Sequence, residues 1–272
     1  NPRSSNISLR AAILPSPTPV LLCTDEEAMK TIQHIEKWIS SEKPRRVAVL
    51  TGAGISAESG IPTFRGPSGL WNNFRPEELA TPEAFERDPK VVWEWYEWRR
   101  GLIRETQPNA AHHALVELEQ ATTTTIVTQN VDGLHRRAGS RNIVELHGNI
   151  FRVRCTAERK VFERNDPFAE LPPRCTCGGL LRPDIVWFGE MLDPEDIDNA
   201  VKTIEECDLL LIVGTSALVY PAAGLSAHLR HGKSIEINPE ATPLSTSCDF
   251  ALAEKAGSGV PAVVAAILGA GR

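Results

Sequence analysis

Arg46-Val47-Ala48-Val49-Leu50-Thr51-Gly52-Ala53-Gly54-Ile55-Ser56 is the stretch on which the fold turns. Arg46 to Leu50 is a short β-type run that leads straight into Thr51-Gly52-Ala53-Gly54, so the expected order is strand, glycine turn, helix. Upstream, from Asp25 to Ser40, apolar residues recur at helical spacing. Downstream, Thr124 to Thr128, Leu209 to Val213 and Ser234 to Ile237 are short apolar runs separated by helical stretches, the pattern of buried parallel strands. The expected fold class is α/β, a Rossmann-like doubly wound parallel sheet. Between Phe151 and Pro183 the composition shifts to Arg, Cys, Pro and Glu with little periodicity, which predicts a smaller inserted module. The chain divides accordingly into an extension (1–24), a sheet domain (25–150 and 184–272) and the insert (151–183).

At 272 residues the chain has room for one large core with an enzyme cleft. Apolar content of 42% and charged content of 24% suit a globular protein, and the longest apolar runs are too short to cross a bilayer. A formal net charge of -6 gives no basic field for a polyanion, so nucleic acid is not an expected partner. Six cysteines, only Cys175 and Cys177 close together, do not read as a disulfide framework. A reducing cytoplasm and a monomer are expected. Asn1 to about Pro19, with Pro15, Pro17 and Pro19, reads as a flexible extension whose stretch Ala11 to Leu14 is too brief for a signal-peptide core.

Glycines between a strand and a helix either shape the turn or let the backbone approach a pyrophosphate at the helix's positive end. Gly52 and Gly54 fit both readings. Thr128-Gln129-Asn130-Val131-Asp132-Gly133-Leu134-His135 clusters amides and a carboxylate after a strand, where open α/β sheets bind ligands and where a polar turn can equally cap the next helix. In Glu145-Leu146-His147-Gly148-Asn149 one imidazole precedes the shift in composition. It titrates near neutrality and can take a proton from a hydroxyl, although a lone histidine is more often structural.

The run Gly52-Ala53-Gly54-Ile55-Ser56-Ala57-Glu58-Ser59-Gly60-Ile61-Pro62-Thr63-Phe64-Arg65-Gly66 closely resembles the signature of the sirtuin family. The Gln129 to His135 and Glu145 to Asn149 segments match further sirtuin motifs, in family order, and the resemblance covers roughly Glu26 to Ala265. It implies an NAD-dependent protein-lysine deacylase with His147 as general base. It also implies NAD contacts by Gly52, Ala53, Gly54, Glu58, Thr63, Phe64, Arg65 and Trp71, by Gln129, Asn130 and Asp132, and by Gly214, Thr215 and Ser216. Asn238, Pro239, Glu240 and Ala256 would complete the NAD site. Leu180 to Glu190 alternates with aromatic bulk where an extended peptide can lie, and sheet-edge pairing holds peptides regardless of sequence. The family brackets its substrate between such strands, implying contacts from Val186 to Glu190, including Phe188 and Gly189, and by Val219 and Tyr220.

Tyr96 and Arg99 lie three apart on an expected helix and share a face, and Arg offers a planar fork matched to a carboxylate. An ordinary surface Arg is the alternative. The chain resembles the sirtuin subgroup whose Tyr-x-x-Arg pair binds succinyl-, malonyl- or glutaryl-lysine, with Ala80 matching its widened acyl pocket. Most sirtuins hold a zinc ion between two Cys-x-x-Cys pairs. Here Cys155 is followed three residues on by Glu158, and Cys177 has Arg174 at the earlier matching position, with Cys175 displaced by one. A regular zinc site is therefore not expected, an irregular one at Cys155, Cys175 and Cys177 stays open, and packing of Phe151, Phe162 and Leu171 is the alternative support.

The resemblance implies that NAD is consumed. The acyl oxygen attacks the nicotinamide ribose, His147 deprotonates a ribose hydroxyl, and nicotinamide, O-acyl-ADP-ribose and free lysine result. Mono-ADP-ribosyl transfer to protein, or a non-catalytic NAD or acyl-lysine reader, are the rivals. A dehydrogenase fits less well, because Gly-Ala-Gly continues as Ile-Ser-Ala-Glu-Ser-Gly and does not close as G-x-G-x-x-G.

Overall fold

The structure, a computed structural model, describes residues 25–63 and 75–271. The extension, Phe64, Arg65 and Trp71 lie outside the described residues. After helix α1 (Asp25–Glu42) comes strand β1 (Arg46–Thr51), then a 3₁₀ helix (Ala53–Ser59). Helices α2 (Pro76–Leu79), α3 (Pro82–Arg87), α4 (Pro89–Glu105) and α5 (Ala110–Ala121) precede β2 (Thr123–Thr128), α6 (Leu134–Ala138) and β3 (Ile143–Glu145). Strands β4 (Gly148–Cys155), β5 (Val161–Glu163) and β6 (Leu181–Ile185) follow. The chain ends with α7 (Pro194–Glu206), β7 (Leu209–Val213), a 3₁₀ helix (Ala222–His228), β8 (Lys233–Ile237), β9 (Phe250–Leu252) and α8 (Ala256–Ala270).

Six strands form one sheet in the order β3-β2-β1-β7-β8-β9, and every neighbouring pair is parallel. Counted within this sheet, the order is the Rossmann 3-2-1-4-5-6, with its reversal between β1 and β7. Alternation along the strands feeds both faces. Val47, Val49, Leu211 and Ile235 pack with residues of α1, α5 and α8, while Ala48, Leu50, Leu210 and Ile212 pack against Ala200 and Ile204 of α7 and Leu225. Burial on both faces explains why these runs read as continuously apolar. No helix among the described residues is long and apolar enough to cross a membrane.

The second sheet is antiparallel, in the order β5-β4-β6. Its strands start at Gly148 and end at Ile185, slightly outside the expected insert. The larger difference concerns α3 and α4, which the sequence placed with the main sheet. Phe85, Trp93, Tyr96 and Ile103 instead share a core with Ile150, Phe151, Val153 and Leu181 of the module. Asp88 starts α4 by accepting from the amides of Lys90 and Val91, with Pro89 at its first turn. The buried Arg100 then ties α4 to the module. It pairs with Glu97 at 3.0 Å, donates to the carbonyls of Ile150 and Asp166, and lies over the rings of Phe151 and Phe168. Phe162, expected to help pack the module, is 41% exposed and does not.

Candidate active site

A cavity of about 810 Å³ opens at the carboxyl ends of β1 and β7, the switch point where doubly wound sheets bind ligands. The loops there are pressed together. Gly52 donates its amide to Val213 at 3.0 Å and Gly54 to Gly214 at 2.8 Å. A Cβ on Gly54 would sit 2.6 Å from Gly214 Cα, and one on Gly214, whose φ is +60°, would sit 2.4 Å from the Ile55 nitrogen. Glycine is thus required where two strand-end loops touch, a different reason from the ligand approach read in the sequence. The element after the turn is a seven-residue 3₁₀ helix, not a regular α-helix.

Polar side chains lock the cavity floor. Asn130 Nδ2 donates to the Gly52 carbonyl at 3.1 Å, and Ser56 Oγ donates to Asp132 at 2.8 Å. Asp132 also accepts from the Leu134 amide at 2.9 Å, so it caps α6 while lying behind the cavity wall; burial raises its pKa. Gln129 Nε2 donates to Thr215 Oγ1 and Asn238 Nδ2 to the Thr215 carbonyl, joining the ends of β2, β7 and β8. Ala53, Glu58, Thr63, Ser216, Pro239, Glu240 and Ala256 line the same cavity, and Glu58 accepts from the Gly257 amide at 2.6 Å.

His147 also faces this cavity. Its Nδ1 lies 2.8 Å from the Gln129 carbonyl oxygen. A carbonyl can only accept, so Nδ1 carries the proton and Nε2 keeps its lone pair. Burial lowers the imidazole's pKa more strongly than this hydrogen bond raises it, leaving a neutral base at neutral pH.

Ala80, Tyr96 and Arg99 line the same cavity as His147. Tyr96 and Arg99 are 2% and 6% exposed, which excludes the surface-Arg alternative. Burial pushes the Tyr96 pKa up to about 12 and lowers that of Arg99, which is partly restored by Tyr96 and Asp132. Trp95, one position earlier on α4, lies under the Arg99 guanidinium at 4.9 Å and was not singled out in the sequence. Its i, i+4 spacing from Arg99 is the available signal. Lys255 and Leu218 also line the cavity without having been singled out.

Val186, Phe188, Gly189, Glu190, Val219 and Tyr220 all border the cavity. Neither segment is a strand in the structure: β6 ends at Ile185, pairing with β4, and residues 214–221 are irregular. Phe188 instead donates its amide to the Ala80 carbonyl at 3.0 Å. Glu190 turns its carboxylate toward Arg182, at 2.6 Å, and the Trp187 amide, at 2.8 Å.

Away from the cavity, the sulfurs of Cys155, Cys175 and Cys177 all lie within 4.8 Å of one another. The displaced Cys175 reaches the others because Gly178, at φ +88°, turns the chain back so that Cys175 donates its amide to the Gly179 carbonyl at 2.8 Å. The amides of Glu158 and Gly179 donate to the sulfurs of Cys155 and Cys177, each at 3.4 Å.

Residues 52–221 match the Sir2 family model. The NAD-dependent protein deacylase of Aquifex aeolicus is 52% identical over 80% of this chain and 93% of its own length. A solved complex of a Sir2 homologue with NAD superposes with a TM-score of 0.80 at 47% identity, covering 90% of this chain and 95% of that one. A Sir2 protein bound to a myristoylated histone peptide gives 0.70 at 31%, covering 88% and 97%. The chain belongs to the Sir2 family.

Proposed function

We propose that this protein removes acidic acyl groups, succinyl, malonyl or glutaryl, from protein lysines, and turns over acetyl-lysine less efficiently. At the coarser level the chain is an NAD-dependent protein deacylase, as its family and its Aquifex relative are. The observation that carries the finer reading is Arg99, a buried cation that lines, with Tyr96, the cavity that His147 faces. A buried guanidinium favours a ligand that brings a carboxylate, and Ala80 leaves room for it.

NAD, when bound, supplies an anomeric carbon activated by its nicotinamide leaving group. The chain's own groups do the rest. Gln129 and Asn130, which line the cavity, offer donors and acceptors without fixed positive charge, suited to ribose hydroxyls and a carboxamide, and Asp132 braces Asn130 from behind through Ser56. His147 Nε2 takes a proton from a ribose hydroxyl. Tyr220, Phe188 and Leu218, all exposed at the cavity rim, offer an apolar border for a peptide such as the acylated histone segment carried by the Sir2 relative.

Charge-assisted hydrogen bonds from Arg99 to a bound carboxylate are worth roughly 1.5 to 3 kcal/mol, or about 10- to 100-fold in kcat/KM. Arg99→Met should therefore erase the preference for succinyl over acetyl, read as a ratio of kcat/KM values by mass spectrometry. Equal loss of both activities would remove the carboxylate role.

The thiol cluster fits zinc better than its spacing suggested, since three sulfurs converge and two already accept backbone amides. Glu158, three residues after Cys155, is paired with Lys160 at 2.9 Å and its carboxylate lies outside the group of converging sulfurs, so the three thiols are the donors the chain supplies. Elemental analysis should find about one zinc per chain, and chelation should lower the melting temperature, because metal ligation is folding free energy in so small a module. Metal-free protein with the same melting temperature would return the module's support to packing alone.

A further inference from the structure

The Tyr96 hydroxyl has a partner whose chemistry restricts where the phenol's own proton can go. Trp187 Nε1 lies 2.9 Å from it, and both residues are buried. An indole nitrogen can only donate, so the phenol oxygen is the acceptor in this bond. The hydroxyl proton stays near the plane of the tyrosine ring through conjugation, and donation from the indole N–H disfavours the orientation that would point it back at Trp187. The proton is left with the other.

Trp187 is held firmly enough to impose this. The Arg182 guanidinium stacks on the indole with its central carbon 3.6 Å from the ring centroid. Arg182 is fixed in turn by Glu190, through contacts of 2.6 and 2.8 Å, and by the Ile185 carbonyl at 3.0 Å. Glu190 closes the ring by accepting the Trp187 backbone amide at 2.8 Å, and Phe85 packs against the indole with centroids 5.3 Å apart. A cation over the indole face draws electron density from it and makes its N–H a stronger donor. Burial keeps the phenol protonated, so a proton is present to be directed.

We infer that Trp187 is a positioning residue for acyl-group choice: its indole N–H turns the Tyr96 hydroxyl so that the phenol donates to the carboxylate of an acidic acyl chain. The inference rests on the acidic-acyl reading above. An acetyl group brings no carboxylate to accept this proton, so the effect falls selectively on acidic substrates.

The test is steady-state kinetics of Trp187→Phe on one peptide carrying succinyl- or acetyl-lysine, in the wild-type and Tyr96→Phe backgrounds. Loss of one oriented hydrogen bond should lower the succinyl-to-acetyl ratio of kcat/KM by about 5-fold, mainly through the KM of the succinyl peptide. In the Tyr96→Phe background the same substitution should change the ratio by less than about 2-fold, because the hydroxyl it acts through is gone. Equal loss on both substrates, or a full effect in the Tyr96→Phe background, would show that Trp187 serves only packing. If Trp187→Phe does not fold, benzothienylalanine at position 187 keeps the ring shape, removes only the N–H, and reads the same ratio. Arg99→Met separates this inference from its foundation. A wild type without succinyl preference overturns both, whereas a preference lost in Arg99→Met but kept in Trp187→Phe overturns only the role of Trp187.

Discussion

Replacing His147 with asparagine should lower kcat/KM for a succinyl-lysine peptide by roughly 100- to 10,000-fold, the range for removing a general base. The size follows from tautomer and environment together. The Gln129 carbonyl fixes the proton on Nδ1, so Nε2 is the base without any prior rearrangement. Burial then holds the pKa below its ordinary 6.5, so the neutral, competent form predominates at pH 7. The rising limb of the pH profile of kcat/KM should therefore lie below pH 6.5, with a plateau through neutrality. A limb centred at or above 7, or a loss below tenfold in the variant, would remove His147 from the proton transfer.

The acid limb must be read beside a melting curve at each pH. His112 and His135 are held at about 4 and about 3 by burial. The unfolded chain takes up these protons near pH 6.5 while the folded chain does not, so stability is full above 6.5 and falls as pH drops toward those folded values. Activity lost at a pH where the protein still melts cooperatively at high temperature reports the base, not unfolding.

The elements most legible in the sequence are those whose burial is two-sided. Arg46 to Leu50, Thr124 to Thr128, Leu209 to Val213 and Ser234 to Ile237 read as strands and fall on β1, β2, β7 and β8, since a strand covered on both faces has little need of polar residues. Strands β3 and β9, three residues each, carry too short a pattern to register. The docking of α3 and α4 on the module was not legible because an amphipathic helix records that it has a buried face, not which layer covers it. At the site, residue types and order pointed to one pocket, and the structure gathers the described ones around one cavity or directly behind it. What the sequence hid were side chains that act through others. Nothing in the spacing joins Trp187 to Tyr96, 91 residues apart, or shows that Glu190 spends its carboxylate on Arg182.

Gly148→Ala should be the most damaging conservative change next to the site. Gly148 has φ +79°, and a Cβ there would lie 2.1 Å from the Asp184 carbonyl oxygen. Left-handed strain alone costs an L-residue about 1 kcal/mol. The contact is the larger effect, because the obstacle is backbone and cannot give way. Gly148 pairs with Ile185 across the β4–β6 ladder, and the Asp184 carboxylate is pinned by Arg152 at 3.1 Å and Arg154 at 2.6 Å. Relief requires β4 and β6 to part by about an ångström, for a total of roughly 3 to 5 kcal/mol, or about 10 °C in melting temperature. The same movement carries off the hydrogen bond from the Val186 amide to the His147 carbonyl, at 3.0 Å, and with it the placement of the base. A displacement of that size is enough to lower kcat by about 100-fold in the fraction that still folds. Gly60→Ala supplies the comparison, since Gly60 has φ +89° but a Cβ there meets nothing within 4 Å among the described residues. It should lose about 1 kcal/mol, the strain without the collision. Equal losses in the two variants would mean that the β4–β6 contact at Gly148 is not what requires glycine there.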